Sequence, residues 1–415
     1  MEAPQRLVDH FFRREYGRLV ALLTRTLGFK NLDLVEDVVQ SALAQALQSW
    51  SLRGIPEDPA GWLYRVAKNA AIDSLRRDRR WVAVREQIAT AGGTDLPVEI
   101  RFDDEFADDQ LRMLFVCCNS ELPPESQVAM ALKTLCGFGV REIASALLTS
   151  EANVQKRLTR AKDRLRELDW QPAELEGETI RTRLEAVRTV IYLLFNEGYN
   201  SSLPDRHIRR DLCGEAIRLC RLLNGHPVCG EPVSQALLAL MLFHAARFDA
   251  RFDEGGSLLL LEEQDRTKWD GALLLEGWQS MIASGRGDRI SRYHLEAGIV
   301  AEHCLIPTFH ETDWRRVVEL YDLLIDVAPN PIHHLNRAVA FAKLHDPRAG
   351  LLELAKLGAG SIADNYYLWH AVVGELNRQA GNFSEAKLSL IEAIDRCPSE
   401  AERKLLRNRL ALSDR

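Results

Sequence analysis

The chain offers no stretch of roughly 20 consecutive apolar residues, the length a helix needs to cross a bilayer. Its longest uninterrupted apolar run, Ala236–Phe243, is eight residues, which predicts no membrane span. The opening residues, MEAPQRLVDHFFRREYGR, lack the apolar core of a secretory signal, so a cytoplasmic location is expected. Cysteine is sparse: eight are scattered through 415 residues, a pattern of reduced thiols and not of a disulfide framework. Positive charge is in deficit, with 53 Lys and Arg against 60 Asp and Glu and a net charge of −7. As an average, that argues against a nucleic-acid binder, whose domains are usually basic. What is present excludes wholesale disorder, because 46% of the residues are hydrophobic and 27% charged, enough apolar material for several cores. The length suits two or three domains of roughly 100–200 residues.

Apolar residues recur at three- and four-residue spacings nearly throughout, and period-2 alternation is lacking, so the expected class is all-α. In Leu34–Trp50 the stripe comprises Val35, Val38, Val39, Ala42, Leu43, Ala46, Leu47 and Trp50, with Asn31 or Asp33 as N-cap. Ala89–Asp109 holds AGGTDLP and then DDEFADD; Gly-Gly, Pro and a run of like charge predict a linker. A second helical block follows to about Asp169, and WQPAELEG (170–177) marks a weaker boundary. In Tyr367–Ser399, Gly374, Gly381, Ala386, Ala393 and Pro398 fall at the small-residue offsets of a 34-residue tetratricopeptide (TPR) unit. Asp313–Asn330 resembles the second helix of such a unit, and Asn336–Leu354, with Ala340 one period before Gly374, the intervening one. The repeat is degenerate.

Basic charge is concentrated in two places. A helix starting at Asp58-Pro59, an N-cap followed by proline at the first helical position, continues through GWLYRVAKNAAIDSLRRDRRW. Leu63, Val66, Ala67, Ala70, Ala71 and Ser74 form its apolar or small face; Trp62, Arg65, Asn69, Asp73, Arg76 and Arg80 form another stripe, with Arg77 and Arg79 beside it. Guanidinium groups bind phosphates, an amide reads a base edge, and an aromatic ring supports an unstacked base. The competing readings are a solvated helix end complementing the macrodipole, and Trp62 as a core residue. The second place is Val140–Leu148, Thr149-Ser150 and Glu151–Glu167, with the spacing of a helix-turn-helix. Val154, Leu158, Ala161 and Leu165 make its seam; Lys156, Thr159 and Asp163 point away, flanked by Gln155 and Arg160. That division suits a recognition helix in the major groove, although any helical hairpin with a basic surface has the same pattern.

The order of a DLVEDVVQSALAQAL helix, a WLYRVAKNAAIDSLRRDRR helix, an acidic linker and a helix-turn-helix resembles a bacterial RNA polymerase sigma factor of the extracytoplasmic-function class. YLLFNEGYNSS (192–202), ALLALMLFHAARFDARF (236–252) and LLLLEEQDRTKWD (258–270) resemble the subgroup with a long TPR-like C-terminal extension. The resemblance implies region 2 at residues 1–84, an acidic linker at 85–109, region 4 at 110–170, a helical extension at 171–305 and TPR-like repeats at 306–415. It implies that Asp37, Gln40 and Ser41 dock on the β′ clamp of core RNA polymerase. Trp62, Arg65, Asn69, Arg76, Arg77 and Arg80 would melt and read the −10 element of promoter DNA. Ser150, Gln155, Lys156, Thr159, Arg160 and Arg164 would read the −35 element, while region 4 also meets the β flap. Such a protein is a specificity subunit: no catalytic residue, cofactor or metal of its own is expected. The extension would regulate in cis or bind a protein partner or ligand.

Relatives in that subgroup commonly read Cys-Cys-His-Pro where this chain has Cys117-Cys118-Asn119-Ser120, and without the histidine these are expected to be buried structural thiols. His333-His334 is a poor chelate, because helical neighbours point about 100° apart. Two other classes compete. A polymerase-independent helix-turn-helix regulator would have no use for Asp37 and Gln40. An enzyme sited in the extension would use Asn196-Glu197 and Glu262–Arg266, polar groups among apolar helices that otherwise serve as interhelical hydrogen bonds and ion pairs. An acidic linker (Asp103, Asp104, Glu105, Asp108 and Asp109) beside basic helices would screen them from nonspecific DNA.

Overall fold

The computed structural model describes residues 3–77, 102–147, 149–167, 177–200, 208–255, 257–357, 366–397 and 399–412. Every regular element among them is helical, and the chain divides into two compact units, residues 1–198 with 210–229, and residues 199–209 with 230–415. Among the described residues, no helix is long and apolar enough to cross a membrane.

In the first unit, α1 (Ala3–Leu27), α2 (Leu32–Arg53) and α3 (Pro59–Arg77) form a bundle. The stripe on α2 buries Val35, Val38, Val39, Ala42, Ala46 and Trp50, whereas Leu47 is 51% exposed. Leu47 lies about 100° round the helix from Ala46, beyond the edge of the buried arc. Asn31 flanks α2, but its amide donates back to the Leu27 carbonyl at 2.6 Å and does not cap. Asp58 does cap α3, accepting from the Gly61 N–H at 2.9 Å. That helix buries Leu63, Ala67 and Ala71, joined by Tyr64 and Leu75.

The end of the acidic stretch is helical, contrary to the linker expectation. Helix α4 runs Phe102–Cys117. The physical reason is position: carboxylates in a helix's first turns complement the macrodipole, so a DDE run starts a helix as readily as it solvates a coil. Asp109 is buried and accepts from Arg25 of α1 at 3.1 Å, which removes it from any screening surface. The side chains of Asp103, Asp104, Glu105 and Asp108 lie outside the described residues, as do the linker residues 85 to 101 and the end of region 2 from residue 78. Cys117 and Cys118, at the end of α4, are fully buried. Burial pushes both thiols up, Cys118 to about 12, so they are not thiolates at neutral pH.

Helices α5 (Pro124–Thr134), α6 (Val140–Ala146) and α7 (Glu151–Glu167) form the helix-turn-helix. Glu142 accepts from the Gly139 N–H at 2.7 Å to start α6, and Val154, Leu158, Ala161 and Leu165 are buried as the seam of α7. Helices α8 (Gly177–Tyr199) and α9 (Arg210–Gly225) follow. Both pack onto α4: Arg183 donates to the Phe115 carbonyl at 2.9 Å and Arg218 bonds Gln110. The first part of the extension is thus one compact body with the two preceding helical domains.

The second unit holds α10 (Pro232–Ala245), α11 (Gly271–Ser284), α12 (Arg292–Cys304), α13 (Trp314–Val327), α14 (Pro331–Leu344), α15 (Pro347–Leu357), α16 (Tyr367–Gln379), α17 (Phe383–Arg396) and α18 (Glu400–Leu412). From α10 onward each helix packs on its successor. At α16–α17 the hairpin is tight because a Cβ on Gly374 would stand 2.8 Å from Leu390 Cγ; only glycine fits there. Ala386 and Ala393 are fully buried on the facing helix, as the small-residue pattern predicts, while Pro398 lies outside the described residues. Helix α13 packs against both α12 and α14, and Asn336–Leu354 runs from within α14 into α15.

Candidate nucleic-acid interface

Helix α2 turns its apolar residues inward, and Asp37, Gln40 and Ser41 are exposed on the opposite side. On α3, Arg65, Asn69 and Asp73 form an exposed row. Arg65 lies 3.9 Å from Asp58 with both side chains more than half exposed, a pair that contributes about 0–1 kcal/mol and leaves the guanidinium available. Trp62 is half-buried, its ring edge-on to Trp50 at 5.6 Å, and Trp50 in turn meets Phe12 at 5.5 Å. The core therefore holds one edge of the indole and fixes its orientation. The side chains of Arg76 and Arg77, at the end of α3, and the whole of Arg80 lie outside the described residues.

On α7, Gln155, Lys156, Thr159 and Arg160 are exposed in one band opposite the buried seam. Ser150 serves as the cap, accepting from the Asn153 N–H at 3.3 Å. Arg164 is exposed but bridged to Glu121 at 2.9 Å and Glu167 at 3.1 Å, and these hydrogen bonds, Glu121's first, raise its pKa. In this conformation it is drawn toward Glu121, between α4 and α5, and away from the band of Gln155, Lys156, Thr159 and Arg160.

Lys162 and Arg166, which the sequence reading passed over, occupy a third side of α7. The Lys162 ammonium meets Glu36 at 2.5 Å and Asp33 at 2.9 Å, and Arg166 also pairs with Asp33. Glu36 is buried, and its second oxygen accepts from Thr134 of α5 at 3.4 Å. Charge-assisted bonds of this kind are stronger than neutral ones, above all where one partner is out of water. Close by, a Cβ on Gly17 of α1 would stand 2.0 Å from the Leu135 carbonyl oxygen. The helix-turn-helix thus sits directly on the first bundle, held by ions at α2 and by a glycine contact at α1. No spacing along the chain signals this pairing, because the ion-pair partners are 126 residues or more apart.

Three of the polar groups weighed as a catalytic site in the extension go to separate partners. Glu262 pairs with Lys343 at 2.8 Å, Glu263 with Arg409 at 2.5 Å, and Asp265 caps the turn at Thr267. They are ion pairs and caps, each serving a different neighbour.

Comparison with known proteins gives three family matches and several relatives. Residues 11–81 match sigma-70 region 2, residues 112–165 match sigma-70 region 4, and residues 183–284 match a family of unknown function, DUF6596. An uncharacterized protein of Rhizobium meliloti is 38% identical over 386 residues, covering 92% of this chain and 90% of that protein. The RNA polymerase sigma factor CarQ of Myxococcus xanthus is 29% identical over 43% of this chain and 97% of its own length. The extracytoplasmic-function sigma factor SigW of Bacillus subtilis is 25% identical over 36% of this chain and 81% of its own. No solved structure matches. A bundle with an exposed polar helix, a helix-turn-helix with a buried seam, and both family matches in that order make the chain a member of the sigma-70 family of RNA polymerase sigma factors, of the extracytoplasmic-function class, with a long C-terminal helical extension.

Proposed function

We propose that this protein is an alternative sigma factor that binds core RNA polymerase, directs melting at the −10 element and starts transcription, and that its extension regulates it in cis or binds a partner. Asp37, Gln40 and Ser41 would meet the β′ clamp, and region 4 the β flap. The exposed row on α3 would take the −10 strand, where unstacking a base costs a few kcal/mol and has to be offset by phosphate neutralisation and pocket contacts. The band Gln155, Lys156, Thr159 and Arg160 would read the −35 element. Phosphodiester chemistry belongs to the polymerase, and the site of action is the cytoplasm. The array of hairpins from α12 to α17, with Gly374 and Ala386 at the close contacts, supports a TPR-like reading of the C-terminal part.

The observation that carries the reading is the exposed polar side of α2, because a polymerase-independent regulator needs only α7. Asp37→Arg is expected to abolish retention of core polymerase on the purified protein while the helical content stays unchanged. Undiminished retention would remove Asp37 from the interface; wild-type protein that retains no polymerase would favour the independent regulator.

The free conformation adds a condition. The −10 and −35 elements are about 25 base pairs apart, roughly 85 Å at 3.4 Å per base pair, whereas here region 4 sits on region 2. Both readers cannot engage DNA until the Lys162–Glu36 contact opens. For the extension, removal of residues 230–415 is the informative truncation, since α8 and α9 complete the first unit. Promoter-specific transcription from purified components is expected to change severalfold, and an unaltered rate would mean the second unit has no regulatory role.

A further inference from the structure

Residues from three stretches noted for their likeness to the extended subgroup meet in the second unit. Tyr199 comes from the first, Arg247 and Arg251 from the second, and Arg266 and Trp269 from the third; His303, at the end of α12, joins them. The Arg247 guanidinium carbon lies 6.0 Å from the centroid of the Trp269 ring, and that of Arg266 lies 4.6 Å from it, so two cations share one indole. Arg251 stacks on Tyr199 at 3.9 Å. Arg247 donates to the Tyr199 hydroxyl at 2.8 Å, and Arg266 to the carbonyls of His303 at 2.5 Å and Ile306 at 2.8 Å.

These bonds leave donors over. Arg247 and Trp269 are each 8% exposed, yet Arg247 Nε and Trp269 Nε1 have no acceptor among the described residues, nor has Nη2 of Arg266. Neither guanidinium has a carboxylate within ion-pair distance there, although Glu311 is near enough to act on Arg266 through its charge. An unmet buried donor costs about 1–3 kcal/mol, and an unpaired buried cation more. Three such donors around one ring, with two positive charges, form a concentrated deficit that an acceptor-only anion would relieve. The field is strong enough that His303, already penalised by burial, is pushed further down by Arg247 and Arg266, to about 4.

We propose that Arg247, Arg266 and Trp269 form a binding site for an oxyanion, the phosphate or carboxylate group of a small ligand, in the C-terminal extension. This gives a chemistry to the ligand-binding role proposed for the extension and rests on that reading for its consequence in transcription. Binding itself is read without polymerase or DNA, so the two fail separately.

The test uses the full chain labelled with 5-fluorotryptophan, the Trp269 resonance being assigned by its loss in Trp269→Phe. Inorganic phosphate and acetate are titrated in separate arms at constant ionic strength set with chloride. A saturable shift of that resonance, with a rise in the thermal midpoint, is expected in at least one arm, and the arm that saturates identifies the source as phosphate or carboxylate. Arg266→Gln, which keeps an amide donor for the His303 and Ile306 carbonyls, is expected to weaken binding tenfold or more; Arg247→Gln is the second such variant. Lys343→Gln, a cation of the same unit paired with Glu262, is expected to titrate as wild type. Failure of both anions to saturate, or Arg266→Gln behaving like Lys343→Gln, would overturn the site.

Discussion

Replacing Gly17 by alanine is expected to raise the fraction of molecules with regions 2 and 4 apart by tenfold or more. The substitution has two opposed effects. In the interior of α1, alanine is better than glycine by about 0.8–1.0 kcal/mol, so the isolated bundle gains stability. In the whole chain the new Cβ would stand 2.0 Å from the Leu135 carbonyl oxygen. That atom is backbone and cannot rotate away, so the Leu135 turn has to retreat. Overpacking of this kind typically costs about 1–3 kcal/mol and more where nothing gives way. The retreat also draws α7 from α2 and lengthens the Lys162–Glu36 contact, which concentrates the effect on the interface and spares each domain's own core. Amide exchange at Thr134 and Leu135, together with the distance between dyes on regions 2 and 4, measures it. Faster exchange and a longer distance are the expected results. Unchanged exchange would mean that the glycine contact does not hold the closed form.

The second unit is expected to lose stability on mild acidification, between pH 6.5 and 5. His244 is held well below its ordinary range by burial, then by the charges of Arg247, Arg251 and His303. His303 is held at about 4 by burial, then by Arg247 and Arg266, and His333 is lowered by burial. In the unfolded chain each histidine takes up a proton near pH 6.5. Their folded values are depressed, so the unfolded state binds more protons as pH falls, and stability present above pH 6.5 is lost on the way down toward pH 4. Each fully shifted histidine contributes a slope of up to about 1.4 kcal/mol per pH unit. With a discount for solvent at His303, His244 and His303 together contribute about 2–4 kcal/mol between pH 6.5 and 5. Unfolding midpoints at pH 7 and pH 5 test this, with His303→Gln expected to reduce the slope. Equal midpoints would show that the two rings are not held neutral by this fold. A bound oxyanion would offset the arginine charges and lessen the loss, so phosphate added at pH 5 is expected to return part of it.

Much of this protein was legible in the chain itself. Periodicity marked the helices, Asp58-Pro59 the start of α3, and Val154, Leu158, Ala161 and Leu165 the seam of α7. Those features are local: they depend on neighbours three or four residues away and on the properties of single side chains. The acidic run 102–109 was misleading because the same carboxylates solvate a coil or start a helix, and only the partner of Asp109, Arg25, distinguishes the cases. Nothing along the chain sets Lys162 and Arg166 apart from the other cations of α7; their contacts with Asp33 and Glu36 do.

The sequence by itself determined that the chain is helical, that positive charge is gathered on two short helices beneath a net charge of −7, and that those helices occur in a sigma factor's order. The tertiary structure alone decided which charges are spent on the protein's own contacts and which face outward. It joined α8 and α9 to the first unit and gathered three separate motifs of the extension around Trp269. The reason is physical: helix periodicity is written in adjacent turns, whereas an ion pair or a cluster of buried donors depends on which distant surfaces meet. No local pattern along the chain encodes that meeting.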